Sequence, residues 1–349
     1  MGLEGTARER GRCHGETLRG PIAELVTELG EFVGPLVGTD IHTLSRRVLA
    51  ETGFAAAAQR WTPELLEEIG GIAEGSGIPR DTILALQFLE EMSWFIQRLF
   101  GAHPDGQCTV LGAFDQGDYP AILAQNADNP DFFSGRQTLL HVKHSGSPRE
   151  AFVLTIPGLI GAYGLNSRGV GVGVNEMVHC MNKSTEGLGT QFVARGILAR
   201  STVEEAIEFV RAVKHASGNT FTIGGPGRVT AYECGPGKVV PFIPGEAATV
   251  TYHTNHPLAN DDRAPGEPPP DPGSHARLEA LERRLGRAQW PLTVEAAKDI
   301  LSGHDSEEYP VCRHDVTRFS LVMELSARPV LHVATGPPCR SEFWTFTFP

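Results

Sequence analysis

Apolar residues recur at helical spacing through the first third of the chain. Leu18, Ile22, Leu25, Val26 and Leu29 form one stripe and Leu65, Leu66, Ile69 and Ile72 another, so residues 16–100 read as helical. Ser76-Gly77-Ile78-Pro79 breaks the pattern, and Asp81 reads as the cap of a further helix carrying Leu84, Leu86, Leu89 and Met92. A turn-rich segment, Gly101-Ala102-His103-Pro104-Asp105-Gly106, closes this region. Short apolar runs then take over at 109–114, 121–125, 139–142, 151–156 and 170–174. Gly and Pro punctuate them, as they do the strands of an antiparallel sheet.

Helix returns at 189–215, first through Phe192, Ile197 and Leu198, then from a cap at Ser201 or Thr202 into 203–207. Strands are expected at 220–223, 229–232 and 248–252. Residues 260–273 hold five prolines and two glycines and read as an exposed loop. Helices at 274–288 and 293–301 and strands at 319–325, 330–334 and 343–348 complete the chain. No period of 20 to 50 residues repeats. This order of elements fits sheets with helices segregated to their outer faces, an α+β domain with a helical N-terminal portion.

Composition narrows the function classes. The 349 residues are 40% hydrophobic and 21% charged, as in ordinary globular proteins with a sizeable core. The net charge of -12 argues against nucleic acid as a partner, which would need a basic footprint. No apolar run approaches the ~20 residues of a membrane-spanning helix, and the charged N-terminus lacks the apolar core of a signal peptide. A cytoplasmic protein without a membrane partner is the expectation. The six cysteines, Cys13, Cys108, Cys180, Cys234, Cys312 and Cys339, are scattered without a Cys-x-x-Cys pair and read as reduced thiols, five of them plain buried ones.

The exception is Cys108. It stands at the boundary between the helical third and the first strand, in Gly106-Gln107-Cys108-Thr109, with Gln125-Asn126-Ala127-Asp128 close behind. A cysteine nucleophile needs a base or a lowered pKa, because a free thiol titrates near ~8.5. Cutting the chain before Cys108 would supply that base as a new α-amine, titrating at ~7.7–8.0. Asn255, in Tyr252-His253-Thr254-Asn255-His256-Pro257, offers an amide for the oxyanion of an acyl-transfer step, or is a turn residue at a strand end. His253 and His256, with His314 and Cys312 as further ligands, give a rival metal-dependent hydrolase, but their spacing does not make a full ligand set. Gly169-Val170-Gly171-Val172-Gly173 lacks the helix and later acidic residue of a nucleotide-binding turn, and no cofactor or metal is expected. Asn166, Asn175 and Glu176 flank that run as pocket or turn residues.

Six segments in order resemble the acyl-coenzyme A:6-aminopenicillanic acid acyltransferase-like family. They are the helical 63–79, Gly106-Gln107-Cys108-Thr109, Gln125-Asn126-Ala127-Asp128, Asn166-Ser167-Arg168-Gly169-Val170 with Asn175, Thr254-Asn255-His256, and Cys312-Arg313-His314. The resemblance implies a four-layer αββα N-terminal-nucleophile hydrolase sandwich, with two antiparallel sheets between helical layers. It implies autoprocessing at Gln107-Cys108 into chains 1–107 and 108–349 that stay associated. Cys108 would then be the nucleophile, Asn255 the oxyanion donor and Asp128 the group that holds the Cys108 amine or orders the site. Thr109 and Asn126 support the site, and either Arg313 or Arg318 serves it. Gln107 stands where the family commonly has Gly, and narrows the backbone conformations that bring the thiol against the preceding carbonyl. The implied activity is hydrolysis of a small-molecule linear amide. Acyl transfer to an amine, with coenzyme A thioester as a possible donor class, and an unprocessed binding relative are the alternatives.

Overall fold

The first helix begins at residue 7, earlier than hydrophobic periodicity predicts. The computed structural model describes residues 1–100, 107–177, 179–245, 249–263 and 271–349. The expected turn at 101–106 and the first residue of the expected 248–252 strand lie outside the described residues, as does 264–270 of the proline-rich loop. Strand β1 (Gly2–Leu3) leads into α1 (Ala7–Thr17), α2 (Arg19–Val37), α3 (Ile41–Glu51), α4 (Phe54–Trp61), α5 (Pro63–Ser76), α6 (Arg80–Leu86) and α7 (Leu89–Phe100). Helix α1 has almost no apolar stripe. It packs instead through Gly11 and Gly15 onto Gly71 and Gly75 of α5, and a Cβ at Gly11 would stand 1.8 Å from the Glu68 carbonyl oxygen. A face made of glycine is invisible to a hydrophobic pattern. Thr6 caps this helix and Glu9 reaches back to the Thr6 nitrogen.

Strands then alternate with two helical excursions. In order they are β2 (Gln107–Ala113), β3 (Ala121–Asp128), β4 (Thr138–Lys143), β5 (Glu150–Thr155), β6 (Tyr163–Asn166) and β7 (Gly171–Glu176). Helices α8 (Thr190–Leu198) and α9 (Val203–Ala212) divide the helical region expected at 189–215 at the cap that the sequence predicts, and of the two candidates Thr202 caps the second helix by accepting the Glu205 N–H. Next come β8 (Asn219–Gly225), β9 (Arg228–Cys234), β10 (Val239–Phe242), β11 (Val250–His253), α10 (Pro272–Arg287), α11 (Val294–Leu301), β12 (Thr317–Leu325), β13 (Val330–Ala334) and β14 (Trp344–Thr347). Asp81 does not cap α6; Pro79 holds the cap position, and Asp81 adds charge to the first turn, where the helix dipole favours it. The described ends of the 260–273 stretch depart from an exposed loop. Asn260 is buried, donating to the carbonyls of Glu233 and Lys238, and Pro272 already belongs to α10.

The strands form two sheets. One runs β1-β4-β5-β6-β7-β8-β9-β10, antiparallel except for the β1–β4 pair; the other runs β11-β2-β3-β12-β13-β14 and is antiparallel throughout. Alternation along β2 decides the layering. Val110 joins Leu154, Leu165 and Leu321 between the sheets, whereas Leu111 faces Leu281 of α10 and Leu301 of α11. The outer face of the larger sheet carries the biggest core, shared with α2 through α9. The result is the α+β, four-layer αββα arrangement. Gly173 is required where the sheets approach closely, since a Cβ there would lie 2.6 Å from Gln125 Oε1. Gln125 bridges the sheets by exchanging two hydrogen bonds with the Val174 backbone. Among the described residues no helix is long and apolar enough to cross a membrane.

Candidate active site

Cys108 is the second residue of β2, which lies between the edge strand β11 and β3 in the smaller sheet, and its side chain is buried. Register pairs Gln107 with Asp128 and Cys108 with Ala127. The Cys108 N–H donates to Asn255 Oδ1 at 2.8 Å. Asn255 follows β11, whose His253 pairs with Val110, so the β11–β2 ladder delivers the Asn255 side chain to the Cys108 nitrogen. The 254–256 segment is locked from both sides: Ser274 Oγ accepts the Asn255 N–H at 2.7 Å, and Thr254 Oγ1 donates to the Ser274 carbonyl. Farther along, Glu233 accepts three backbone N–H groups, from Leu258, Ala259 and Asn260.

Arg277, fully buried on α10, gathers the site. Its Nη1 donates to the Cys108 carbonyl at 2.7 Å and to Thr109 Oγ1 at 2.8 Å. Its Nη2 donates to Gln107 Oε1 and to Asn255 Oδ1, both at 3.0 Å. Asn255 Oδ1 faces two donors, so the carboxamide orientation is determined. The Gln107 side chain is held at both ends, Oε1 also accepting from Arg313 at 3.0 Å and Nε2 donating to Asp271 at 2.7 Å. Gln107 lies in strand, and no non-glycine residue among those described has a positive φ, so its backbone needs no glycine-like conformation. Its constraint comes from the side chain.

Asp128 is fully buried opposite the Gln107–Cys108 bond. Oδ1 accepts from Thr317 Oγ1 at 2.6 Å; Oδ2 has no hydrogen-bond partner among the described residues, and Arg313 Nη1 lies 3.8 Å away. Burial raises this carboxyl above its ordinary pKa against the opposing pull of Arg277. Burial, reinforced by the nearby Asp128, pushes the Cys108 thiol up to about 12, so in the uncut chain it rests protonated. Tyr163 Oη stands 4.0 Å from the sulfur.

The thiol lines a cavity of about 210 Å³ closed on one side by the N-terminal helices. Its wall is mostly apolar; Phe32 and Leu36 of α2 line it and are exposed. Besides Asp128, the carboxyls of Glu90, Glu91 and Glu176 interrupt that wall. Burial raises all three glutamates; repulsion from Glu91 adds to Glu90, which reaches about 8, and repulsion from Glu90 and Glu91 adds to Glu176.

The sequence pattern described as acyl-coenzyme A:6-aminopenicillanic acid acyl-transferase matches residues 115–321. The chain belongs to this family. The matched stretch contains Asp128, Asn255, Arg277 and Arg313, while Cys108 precedes it. The 40 kDa form of acyl-coenzyme A:6-aminopenicillanic-acid acyltransferase from Emericella nidulans is 26% identical over 320 residues, spanning 89% of this chain and 83% of that protein. Among solved structures, the Caenorhabditis elegans ortholog of N-acylethanolamine-hydrolyzing acid amidase is similar at TM-score 0.46 and 14% identity, over 69% of this chain and 100% of that one. Penicillin V acylase from Agrobacterium tumefaciens aligns at TM-score 0.36 and 9% identity, over 69% and 86% of the two chains. At such scores neither carries an argument about activity.

The other candidate residues separate clearly. Glu176 lines the cavity, and its carbonyl accepts from Asn255 Nδ2 at 2.9 Å. Asn175 is buried and donates to the His253 carbonyl, while Asn126 donates to the carbonyls of Leu301 and Val311; both brace neighbouring segments. Asn166 is a turn-former away from the cavity, accepting the Arg168 and Val170 N–H groups. Of the two arginines, Arg313 reaches Gln107, whereas Arg318 turns to the Asn129 carbonyl and Asp131. His253 and His256 do not form a metal centre with His314. His253 spends both ring nitrogens on Glu233 and the Thr254 carbonyl, and His256 bonds Ser274. Sequence reasoning missed Arg277, Tyr163 and the Glu90–Glu91 pair. Arg277 had a signal: it heads the stripe Arg277, Leu281, Leu285 at i, i+4 and i+8, where an outward charge would not fall.

Proposed function

We propose that this family member cuts its own Gln107–Cys108 bond and then uses Cys108, as an N-terminal residue, to open linear amides through an acyl-enzyme. In the cut, the thiol adds to the Gln107 carbonyl carbon, the C–N bond breaks, and the thiol proton ends on the departing Cys108 nitrogen. Water then opens the resulting thioester, leaving a carboxylate on Gln107 and both a thiol and a free α-amine on Cys108. In turnover that amine takes the thiol proton, the sulfur attacks the substrate carbonyl, and the proton passes to the leaving nitrogen. An Asn amide carries two N–H groups, and the Glu176 carbonyl uses one of those on Asn255. The second serves the oxyanion, a contribution of roughly 10²–10³ in rate where it has been measured.

The observation that carries this reading is the cradle around Cys108. Its nitrogen is held by Asn255 and its carbonyl by Arg277, while its thiol opens onto the cavity. The apolar wall suits a small-molecule amide with an apolar body. Residues 1–107 supply part of that wall and the buried Glu68, which bonds Arg195 of α8, so the two chains would remain one heterodimeric unit.

Hydrolysis is the first reading. Acyl transfer to an amine is the second, favoured by the Emericella relative's name. Intact mass of freshly expressed protein tests the proposal. Fragments 1–107 and 108–349 that co-elute are expected, with Cys108→Ala remaining one chain. A wild-type protein that stays uncut and releases no amine from a panel of linear amides sinks it.

A further inference from the structure

A second cluster of chemistry-bearing side chains sits outside the cavity, built from two connections, one between α11 and β12 and the other between β13 and β14. His304 follows α11, Cys312 and His314 lie in the connection to β12, and Cys339 lies between β13 and β14. One ligand atom from each falls within 4.8 Å of every other. Cys312 Sγ and Cys339 Sγ are 3.4 Å apart, both cysteines being free, and His314 Nε2 is 3.1 Å from Cys339 Sγ. The His304 and His314 ring centroids are 4.5 Å apart. The Cys312 N–H donates to the Gly303 carbonyl at 3.0 Å, which holds the His304 turn against Cys312.

We propose that His304, Cys312, His314 and Cys339 form a Zn²⁺ site that clips the segment carrying Arg313 to the segment between β13 and β14. Two sulfurs and two imidazoles are the ligand set of a tetrahedral zinc ion. Bond lengths of ~2.3 Å to sulfur and ~2.0–2.1 Å to nitrogen place the ligand atoms of such a tetrahedron roughly 3.3–3.8 Å apart. The two sulfurs, 3.4 Å apart, fall within that range, His314 Nε2 lies just short of it at 3.1 Å from Cys339, and His304 brings its ligand atom within 4.8 Å of the other three, so shifts of about an ångström would close the tetrahedron. The donor set excludes Mg²⁺ and Ca²⁺, which take oxygen ligands. Binding would release one proton from each thiol to solvent. With four protein ligands no open position is left for substrate, so the site is structural.

Its place in the fold says what it would hold. Arg313 lies between two of the four ligands, and its guanidinium bonds Gln107 Oε1. The Arg313 N–H donates to Thr317 Oγ1, which in turn donates to Asp128. Asn126, beside the cluster, braces the Val311 carbonyl. The ion would therefore fix the approach of Arg313 to the Gln107–Cys108 bond. The metal inference itself does not depend on self-cleavage.

The experiment uses tag-free, full-length protein expressed in zinc-supplemented medium and dialysed against metal-free buffer. Elemental analysis should find about one zinc per chain, reduced at least fivefold in Cys339→Ser and in His304→Ala, whose exposed side chain can be removed without a cavity. Replacing zinc with Co²⁺ should give the intense visible bands of a tetrahedral ion and a thiolate charge-transfer band, both lost in Cys339→Ser. Two results overturn the proposal. One is wild-type protein with less than a tenth of an equivalent of zinc, reduced thiols and no Co²⁺ spectrum. The other is a Cys312–Cys339 disulfide in the mass of freshly isolated protein. Metal content reads this site whether or not the chain is cut.

Discussion

Arg277 donates to the carbonyl oxygen of Cys108 at 2.7 Å, and through its other terminal nitrogen to the same Asn255 oxygen that receives the Cys108 N–H. One guanidinium thus sets both sides of the residue proposed as nucleophile. It does so from a fully buried position on a helix of the layer that covers the outer face of the same sheet.

Removing that guanidinium leaves Gln107 Oε1 with Arg313 alone and strips the Cys108 carbonyl of its donor. Arg277→Ala is expected to cost about 3–5 kcal/mol of stability and to slow appearance of the 108–349 fragment by about 100-fold or more. Arg277→Lys keeps the charge but cannot serve four acceptors in two directions, so it should recover stability more than cleavage. Urea midpoints and a time course of intact mass read the two effects separately. Wild-type cleavage in the alanine variant would show that Arg277 only supports packing.

Gln107 is anchored by its side chain, not by an unusual backbone. Gln107→Gly should therefore slow cleavage, because it releases Asp271, Arg277 and Arg313 at once. Gln107→Glu keeps an acceptor for both arginines and should remain nearer wild type, although it places a carboxylate beside Asp271. Faster cleavage in the glycine variant would contradict this account.

The Glu90, Glu91 and Glu176 cluster gives the protein a pH dependence opposite to that of most carboxylates. Burial and the Glu91 charge raise Glu90 to about 8. The folded state thus holds a proton that the unfolded chain has released. Stability from this group is complete below ~4.3 and is lost as pH rises through about 8. Glu90→Gln cannot titrate, so its melting temperature should fall less than that of wild type between pH 5 and 8. Parallel melting curves over that range would remove Glu90 from the explanation.

Glu68 works in the other direction. Burial by itself would raise it, but Arg195 and Arg10 outweigh burial and hold it at about 2. Its stability contribution is present above ~4.3 and is lost as pH falls toward 2. Glu68→Gln leaves two buried guanidinium groups without a counter-charge and should cost about 3–5 kcal/mol at pH 7. It should also flatten the acid limb of the stability curve. Because Glu68 and Arg195 lie on opposite sides of the proposed cut, the variant should loosen association of the two fragments in size-exclusion chromatography.

Much of the layered fold was legible from the chain because apolar spacing records which face of each element is buried. The α5 stripe, the apolar runs of β2 and β3, the α11 helix and the three closing strands all follow local patterns. Helix α1 did not, since its contact face is Gly11 and Gly15, and close approach of two backbones leaves no hydrophobic mark. Short β6 and β10 escaped for a related reason: each has four residues, too few to show a period.

The site divides along the same line. Cys108, Asp128 and Asn255 stood out in sequence because thiol, carboxylate and amide near strand ends carry recognisable chemistry. Which of their neighbours matter was decided by tertiary structure. Arg277 and Arg318 carry the same side chain, yet one is buried against Cys108 and the other faces Asp131. His253 and His256, on either side of Asn255, are consumed by Glu233 and Ser274, while His304, Cys312 and His314 of one connection meet Cys339 of another. Local sequence determines which element a residue occupies and which way that element faces. It does not encode which distant side chains converge, because convergence depends on how sheets and helices stack, and that is settled only when the whole chain buries its core.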